Sequence, residues 1–304
     1  MSDRRRALSR AGIDDPRLQD AYLYCRHLAA SHGRTYYLAT RLLPAAKRPH
    51  VHALYGFARF ADEIVDNEPE ATRAAHFDAW SAEVTSQLRA GRADQPVARA
   101  LLNTMRQWEI PIGHVDAFLA SMRADLTVTR YRTFEDLSGY VYGSAAVIGL
   151  QLIPILEPLA PEAADRARVM GEAFQLSNFL RDVAEDYDRG RIYLPQEDLE
   201  RFAVSEAELG RTRVSRNLRD LLRYEIDRNR RQYAYAVGGI PMLAPSSRPC
   251  IETAFTLYGG ILEAIESADY QILDRRVSVP PRTRVRVAAR AWRQAGALRR
   301  SAVP

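Results

Sequence analysis

The sequence predicts an all-α protein folded as a single domain, and three observations carry that expectation. Nearly every long segment places apolar residues three and four apart, the spacing of one helix face. No stretch shows the apolar-polar alternation of a strand. The breaks between segments are short and rich in Pro, Gly or Ser, too brief to act as domain linkers in a chain of 304 residues. All of residues 1–304 are therefore expected to form one domain, with residues 1–15 and 295–304 flexible. A hydrophobic content of 47% suffices for the core such a domain needs.

The elements follow in order. Helices are expected over 16–31 and 48–66, separated by LLPAAKRP from Leu42, where proline stops one helix and opens the next. Three more follow at 70–90, 96–108 and 112–124. A strongly apolar helix over 134–156 runs to the turn around Pro158, and another over 161–187 runs to RGRIYLP from Arg189. The last three are expected over 205–236, 248–274 and 282–300, the first two separated by GGIPMLAPSSRP from Gly238. No repeat of solenoid length is present.

Composition excludes several classes. GSAAVIGLQLIPIL from Gly143 is interrupted by Gln151 and Pro154, so it is read as a core helix and not a membrane span. The start, MSDRRRALSRAG, has no apolar block, so no secretory signal is expected and the protein is placed in the cytoplasm. Cys25 and Cys250 lack disulfide-framework or metal-ligand spacing. The net charge is +5, and every basic residue except Lys47 is arginine, which fits a biased genome as readily as a phosphate-binding protein. From Arg275 to Pro304 there are nine arginines and no acid, with Val285, Val287, Ala288, Ala289, Trp292 and Leu298 interspersed. That segment suits peripheral contact with an anionic membrane as well as it suits a solvated last helix. No zinc-finger spacing, recognition helix or stacking platform accompanies the charge, so no nucleic-acid partner is expected.

Two acidic stretches carry the chemistry. In FARFADEIVD, residues 57–66, Asp62 and Asp66 share a stripe with Tyr55 and Arg59, within about 60° of arc at 100° per residue, and Glu63 sits beside it. Like charges one turn apart repel, so a stripe of this kind in a packable helix asks for a countercharge, and a hard divalent cation supplies one. In EAFQLSNFLRDVAEDYDRGRIYLP from Glu172, the residues Gln175, Asn178, Asp182 and Asp186 fall within about 80° of arc. Leu176, Phe179, Leu180 and Val183 cover the other sides. Two facing stripes of oxygen ligands make a magnesium-diphosphate site, because magnesium takes few carboxylates and completes its shell with water and phosphate. An EF-hand loop is absent, and no His follows either stripe at di-iron spacing.

These residues resemble the squalene and phytoene synthase family, which joins two prenyl diphosphates head to head. The resemblance spans HGRTYYLATRLLP from His32, HALYGFARFADEIVD from His52, MRADLTVTRYRTFEDLSGYVYGSAAVIGLQLIPIL from Met122, FQLSNFLRDVAEDYDRGRIYLP from Phe174 and RPCIETAFTLYGGILEAIESADYQILDRRVSVP from Arg248. GSAAVIGLQ and DRRVSVP look most like the phytoene synthases of actinobacteria. The resemblance implies an all-α isoprenoid-synthase bundle with a central cavity. It implies that Asp62, Asp66, Asp182 and Asp186 hold Mg2+, joined by Asn178 and with Gln175 on the same face. It assigns His32, Arg34, Thr35, Arg59 and Arg181 to phosphate or the aspartates, and Tyr142, Tyr193 and Tyr258 to the neighbourhood of the reacting carbons. Ala145, Val147 and Leu150 match the walls of the prenyl tunnels. Two departures stand out: Glu63 where many relatives carry Asp, and Gly33 in place of a small hydroxyl residue.

The implied reaction ionises one prenyl diphosphate inside an apolar cavity. Attack by the second gives a cyclopropyl intermediate, and rearrangement then gives a linear product, with tyrosines steadying the cation and diphosphate acting as base. No G-x-G-x-x-G fingerprint is present, which favours phytoene, a non-reductive product, over squalene. Alternatives are squalene or dehydrosqualene synthesis from farnesyl diphosphate, prenylation of an aromatic acceptor, and a non-catalytic helical scaffold. The scaffold would be expected to lack the acidic motifs.

Overall fold

The computed structural model describes residues 3–32 and 34–301, without the side chains of residues 3, 34, 35 and 298–301. Among the described residues the chain is helical, with no strand beyond one antiparallel bridge between Pro158 and Leu243. The helices are α1 (Asp3–Ser9), α2 (Pro16–His32), α3 (Arg34–Thr40), α4 (Arg48–Asn67), α5 (Glu70–Arg89), α6 (Pro96–Gln107), α7 (Ile112–Ala124), α8 (Phe134–Val141) and α9 (Val147–Leu156). They continue with α10 (Ala163–Arg181), α11 (Val183–Asp188), α12 (Gln196–Arg201), α13 (Glu206–Leu209), α14 (Arg216–Ala236), α15 (Arg248–Ser267) and α16 (Pro281–Ser301). A π-helical turn over Tyr142–Ala146 joins α8 to α9.

The all-α expectation holds, and most boundaries fall within two residues of those read from periodicity. The differences have local causes. The segment expected as 205–236 is interrupted between α13 and α14, where Gly210 closes α13 and Ser215 caps α14 by accepting from the Leu218 amide at 3.1 Å. The segment expected to reach residue 274 stops at Ser267, because Asp269 and Tyr270 turn into the left-handed region (φ 52° and 61°). Residues 3–15, expected to be flexible, pack: Leu8, Ala11 and Ile13 are buried, and Arg5 pairs with Asp20 at 2.6 Å. Ala295 near the other end is also buried.

One core joins residues of α1, α2, α4 to α7 and α9, and a second joins α10, α11, α14 and α15. The helix α10 lies between them and packs on α9, α14 and α15. Gly149 of α9 and Gly171 of α10 allow that approach, since a Cβ on Gly149 would meet the Ala167 carbonyl oxygen at 2.4 Å and one on Gly171 the Ala145 carbonyl oxygen at 2.6 Å. Residues Phe134–Leu156 are long and apolar enough in composition to cross a membrane, which the sequence had argued against. The fold uses them as interior, packed on α7 and α10. Lys47, the single lysine, is buried and donates to Glu157 at 2.5 Å and Ser247 at 2.9 Å, tying the turn after α9 to the start of α15.

Candidate active site

An apolar cavity of about 310 Å³ runs among α3, α4, α9, α10 and α15. Ala39, Ala58, Ala145, Ile148, Leu152 and Ala254 form part of its wall, and Gln175 and Asn178 bring amides to it. A second, polar cleft of about 490 Å³ shares Tyr36, Tyr55, Asn178 and Tyr258 with the cavity, so these residues stand where the two meet. The cleft carries His32, Arg181, Arg276 and Arg284. At the junction two aromatic pairs stack: Tyr36 on Tyr55 with centroids 5.0 Å apart, and Phe174 on Tyr258 at 4.4 Å. Stacked rings beside an apolar cavity offer π faces to a carbocation, each such contact being worth about 0.5–2 kcal/mol.

The four aspartates of the acidic stripes line neither space; Tyr55 of α4 and Asn178 of α10 stand at the junction, and Arg181 and Arg276 of the cleft reach Asp182. On α4, Arg59 forms ion pairs with both Asp62 and Glu63, the latter at 2.5 Å. Asp66, one turn further, accepts from Arg191 at 3.0 Å, with Arg189 at 3.6 Å. Burial first, and then the charge of Asp66, pushes the Asp62 carboxyl above the usual carboxylate range. The second stripe is not one straight helix, as 161–187 had been expected to be: α10 ends at Arg181, and Asp182 leaves helical geometry (φ −102°, ψ 15°) before α11 begins. Asp182 accepts a fork from Arg181 (2.7 and 2.6 Å) and another from Arg276 (2.9 Å twice). Burial, then Asp182 and Glu185, pushes Asp186 up to about 7, against the pull of Arg189 and Arg191. Arg189 and Arg191 thus act on Asp66 of the first stripe and on Asp186 of the second.

Asp62, Asp66, Asp182 and Asp186 offer hard oxygen donors in two pairs, with the Asn178 amide on the adjoining wall. Among the described residues no three His, Cys, Asp or Glu side chains converge as a ready-made metal cage. Paired carboxylates fit magnesium, which commonly takes one or two of them and draws its remaining ligands from phosphate and water.

Of the residues expected to act, His32, Gln175, Asn178, Arg181 and Tyr258 line the cavity or cleft, and Arg59 holds Asp62. The side chains of Arg34 and Thr35, and Gly33 altogether, lie outside the described residues. Tyr142 lines neither space: it sits on the π turn, 42% exposed. Tyr193 is buried away from both, stacked on Phe179 at 4.0 Å, with its hydroxyl donating to Asp125 at 3.1 Å. Ala145 lines the cavity, but Val147 and Leu150 do not; Ile148, Gly149 and Leu152 of the same helix take that role.

Sequence reasoning missed Tyr36, Asp125, Arg191 and Arg276. Asp125 is buried and accepts from the hydroxyls of Tyr140 (2.8 Å) and Tyr193 (3.1 Å), while its main-chain oxygen takes a 3.4 Å contact from Arg191. Burial pushes its carboxyl up to about 6, against the two tyrosines and Arg191. The segment 189–193 is fixed to 129–130 by Ile192 N–H to Thr129 C=O (2.9 Å) and Arg130 to Gly190 C=O (2.7 Å), which aims Arg191 at Asp66. The available signals were an acid closing an apolar helix in MRADL and the arginines of RGRIYLP and DRRVSVP.

Comparison with known proteins identifies the family. The model of the squalene/phytoene synthase family matches residues 29–283. The chain is 36% identical over 275 residues to a phytoene synthase of Arthrospira platensis, covering 86% of this chain and 89% of that one. It is 37% identical over 294 residues to a 15-cis-phytoene synthase of Synechocystis sp., covering 92% and 87%. Among solved structures, a dehydrosqualene synthase in complex with ligand superposes with a TM-score of 0.84 at 27% identity, over 92% of this chain and 98% of that one. Squalene synthase HpnC of Alicyclobacillus acidocaldarius gives 0.78 at 27%, over 86% and 98%.

Proposed function

The chain belongs to the squalene/phytoene synthase family and is a prenyltransferase of that type, and from this premise we propose that it condenses two geranylgeranyl diphosphates head to head to phytoene, with magnesium and through a cyclopropyl diphosphate intermediate. The observation that carries the reading is the meeting of two spaces: an arginine-lined polar cleft that suits diphosphate, and an apolar cavity that suits a prenyl chain, joined at stacked aromatic rings. The forks of Arg181 and Arg276 match phosphate oxygens as well as they match Asp182. When bound, magnesium held by Asp62, Asp66, Asp182 and Asp186 would stabilise negative charge on the leaving diphosphate. The rings of Tyr36, Tyr55 and Tyr258 face the developing allylic cation, and the apolar wall excludes the water that would quench it. The departing diphosphate is the base for the final proton.

The test is turnover of geranylgeranyl diphosphate by Asp62→Asn and Asp182→Asn. Both are expected to lose diphosphate release, and wild-type turnover in either would refute the metal assignment. The superposition on a dehydrosqualene synthase favours a second reading, farnesyl diphosphate as substrate, which mass analysis of the hydrocarbon separates from the first. We further place the enzyme in the cytoplasm against an anionic membrane through α16, whose Val285 (68%) and Trp292 (41%) are exposed among arginines. Binding to vesicles containing anionic lipid and not to zwitterionic ones is the expected result; equal binding to both would refute it.

A further inference from the structure

Both oxygens of Asp182 are shared between two arginines. An ionised carboxylate offers about four acceptor positions. Here Oδ1 accepts from Nε of both Arg181 (2.7 Å) and Arg276 (2.9 Å), and Oδ2 accepts from Nη2 of both (2.6 and 2.9 Å). The two arginines differ in how they are held. Arg181 is the neighbouring residue at the end of α10, with its side chain 19% exposed. Arg276 comes from the segment between α15 and α16, and its side chain is 55% exposed at the cleft.

Arg276 forks onto Asp182 and also lies 3.7 Å from Glu185, so its half-exposed guanidinium is shared between two carboxylates at the cleft. A diphosphate arriving there finds a ready fork in Arg276, because the geometry that fits carboxylate also fits phosphate. Moving Arg276 from Asp182 to phosphate vacates one acceptor position on each carboxylate oxygen.

We propose that Arg276 is an exchangeable countercharge that closes Asp182 to divalent cation until diphosphate draws it away, so that metal capture at this aspartate depends on substrate. The proposal rests on the diphosphate reading of the site. By linkage the dependence is reciprocal: whatever releases Arg276 raises cation affinity, and cation at Asp182 raises affinity for diphosphate.

The experiment measures Mn2+ binding to the full chain by electron paramagnetic resonance, with no phosphate present and hence no turnover. Arg276→Gln is expected to bind Mn2+ roughly two- to fivefold more tightly than wild type, the scale of one partly exposed ion pair. Adding Asp182→Asn to that variant should abolish the gain. Arg276→Lys, which keeps the charge and loses the fork, should fall between. In a second arm, inorganic pyrophosphate without metal should bind Arg276→Gln more weakly than wild type. Unchanged or weaker Mn2+ binding in Arg276→Gln, in protein whose melting temperature matches wild type, overturns the proposal, as does unchanged pyrophosphate binding. Failure of the functional reading is distinguishable: wild type would then make no hydrocarbon from prenyl diphosphates while the Mn2+ result stood.

Discussion

Replacing Asp125 by Asn tests the buried network behind the first stripe. In the native chain this carboxyl is 7% exposed, and burial pushes it up to about 6 from the ordinary 3.8. Between those pH values the folded protein holds a proton that the unfolded chain has released. Stability from this group is therefore complete below about 3.8, falls as pH rises to about 6, and is flat above. The difference amounts to about 3 kcal/mol. Asn has nearly the same shape and no charge, so it removes the slope and relieves the burial of an ionised acid, while leaving one tyrosine hydroxyl short of its acceptor at a cost of about 1–3 kcal/mol. Urea unfolding of both proteins from pH 4 to pH 8 should show the variant gaining about 2.4 kcal/mol relative to wild type across that window and ending near parity at pH 8. A difference that stays constant over the whole range would show that Asp125 is not buried as an acid, and the network would have to be redrawn.

Three further outcomes are expected. Arg228 lies 2.8 Å from both Asp198 and Glu225, which are 3% and 5% exposed, so Arg228→Ala should lower stability by about 3–5 kcal/mol in urea unfolding; a loss under 1 kcal/mol would mean that the pair finds another partner. Gly149→Ala drives a methyl toward the Ala167 carbonyl oxygen and should cost about 1–3 kcal/mol while narrowing the cavity, with lower product yield at equal protein; wild-type stability would show that α9 moves freely on α10. Among the described residues no hydrogen-bond partner reaches the buried Tyr36 hydroxyl, so Tyr36→Phe should leave the melting temperature equal or higher, and a clear drop would reveal a partner for it.

The helices were legible because amphipathic spacing and proline breaks are local. Pro49 lies in the first turn of α4, as read, and Pro16 and Pro96 likewise open α2 and α6. The bend at Asp182 was not legible: an Asp four residues after Asn178 fits an unbroken helix, and only arginines from either side of it select the other geometry. Of the candidate site, angular position grouped Gln175 and Asn178 with Asp182 and Asp186, and the two amides do line the cavity. Arg276 was not legible, because it is 94 residues from its partner. The tyrosines misled for a related reason. Tyr193 shares its segment with Asp186 and Arg191, yet its ring packs on Phe179 and its hydroxyl is taken by Asp125, and no periodicity distinguishes such a residue from one that lines a cavity. Tyr36, which does stand at the junction, lies on the short α3 that the sequence did not distinguish from a break.

The central claim is that the cleft and the cavity act together on two prenyl diphosphates. Its most direct measurement is the product of geranylgeranyl diphosphate incubated with the protein and Mg2+, by mass analysis of the hydrocarbon and parallel assay of released diphosphate. The expected result is a forty-carbon hydrocarbon with two diphosphates released per molecule and none of either when the metal is chelated. Release of diphosphate with only a twenty-carbon product, or turnover unaffected by chelation, would contradict it.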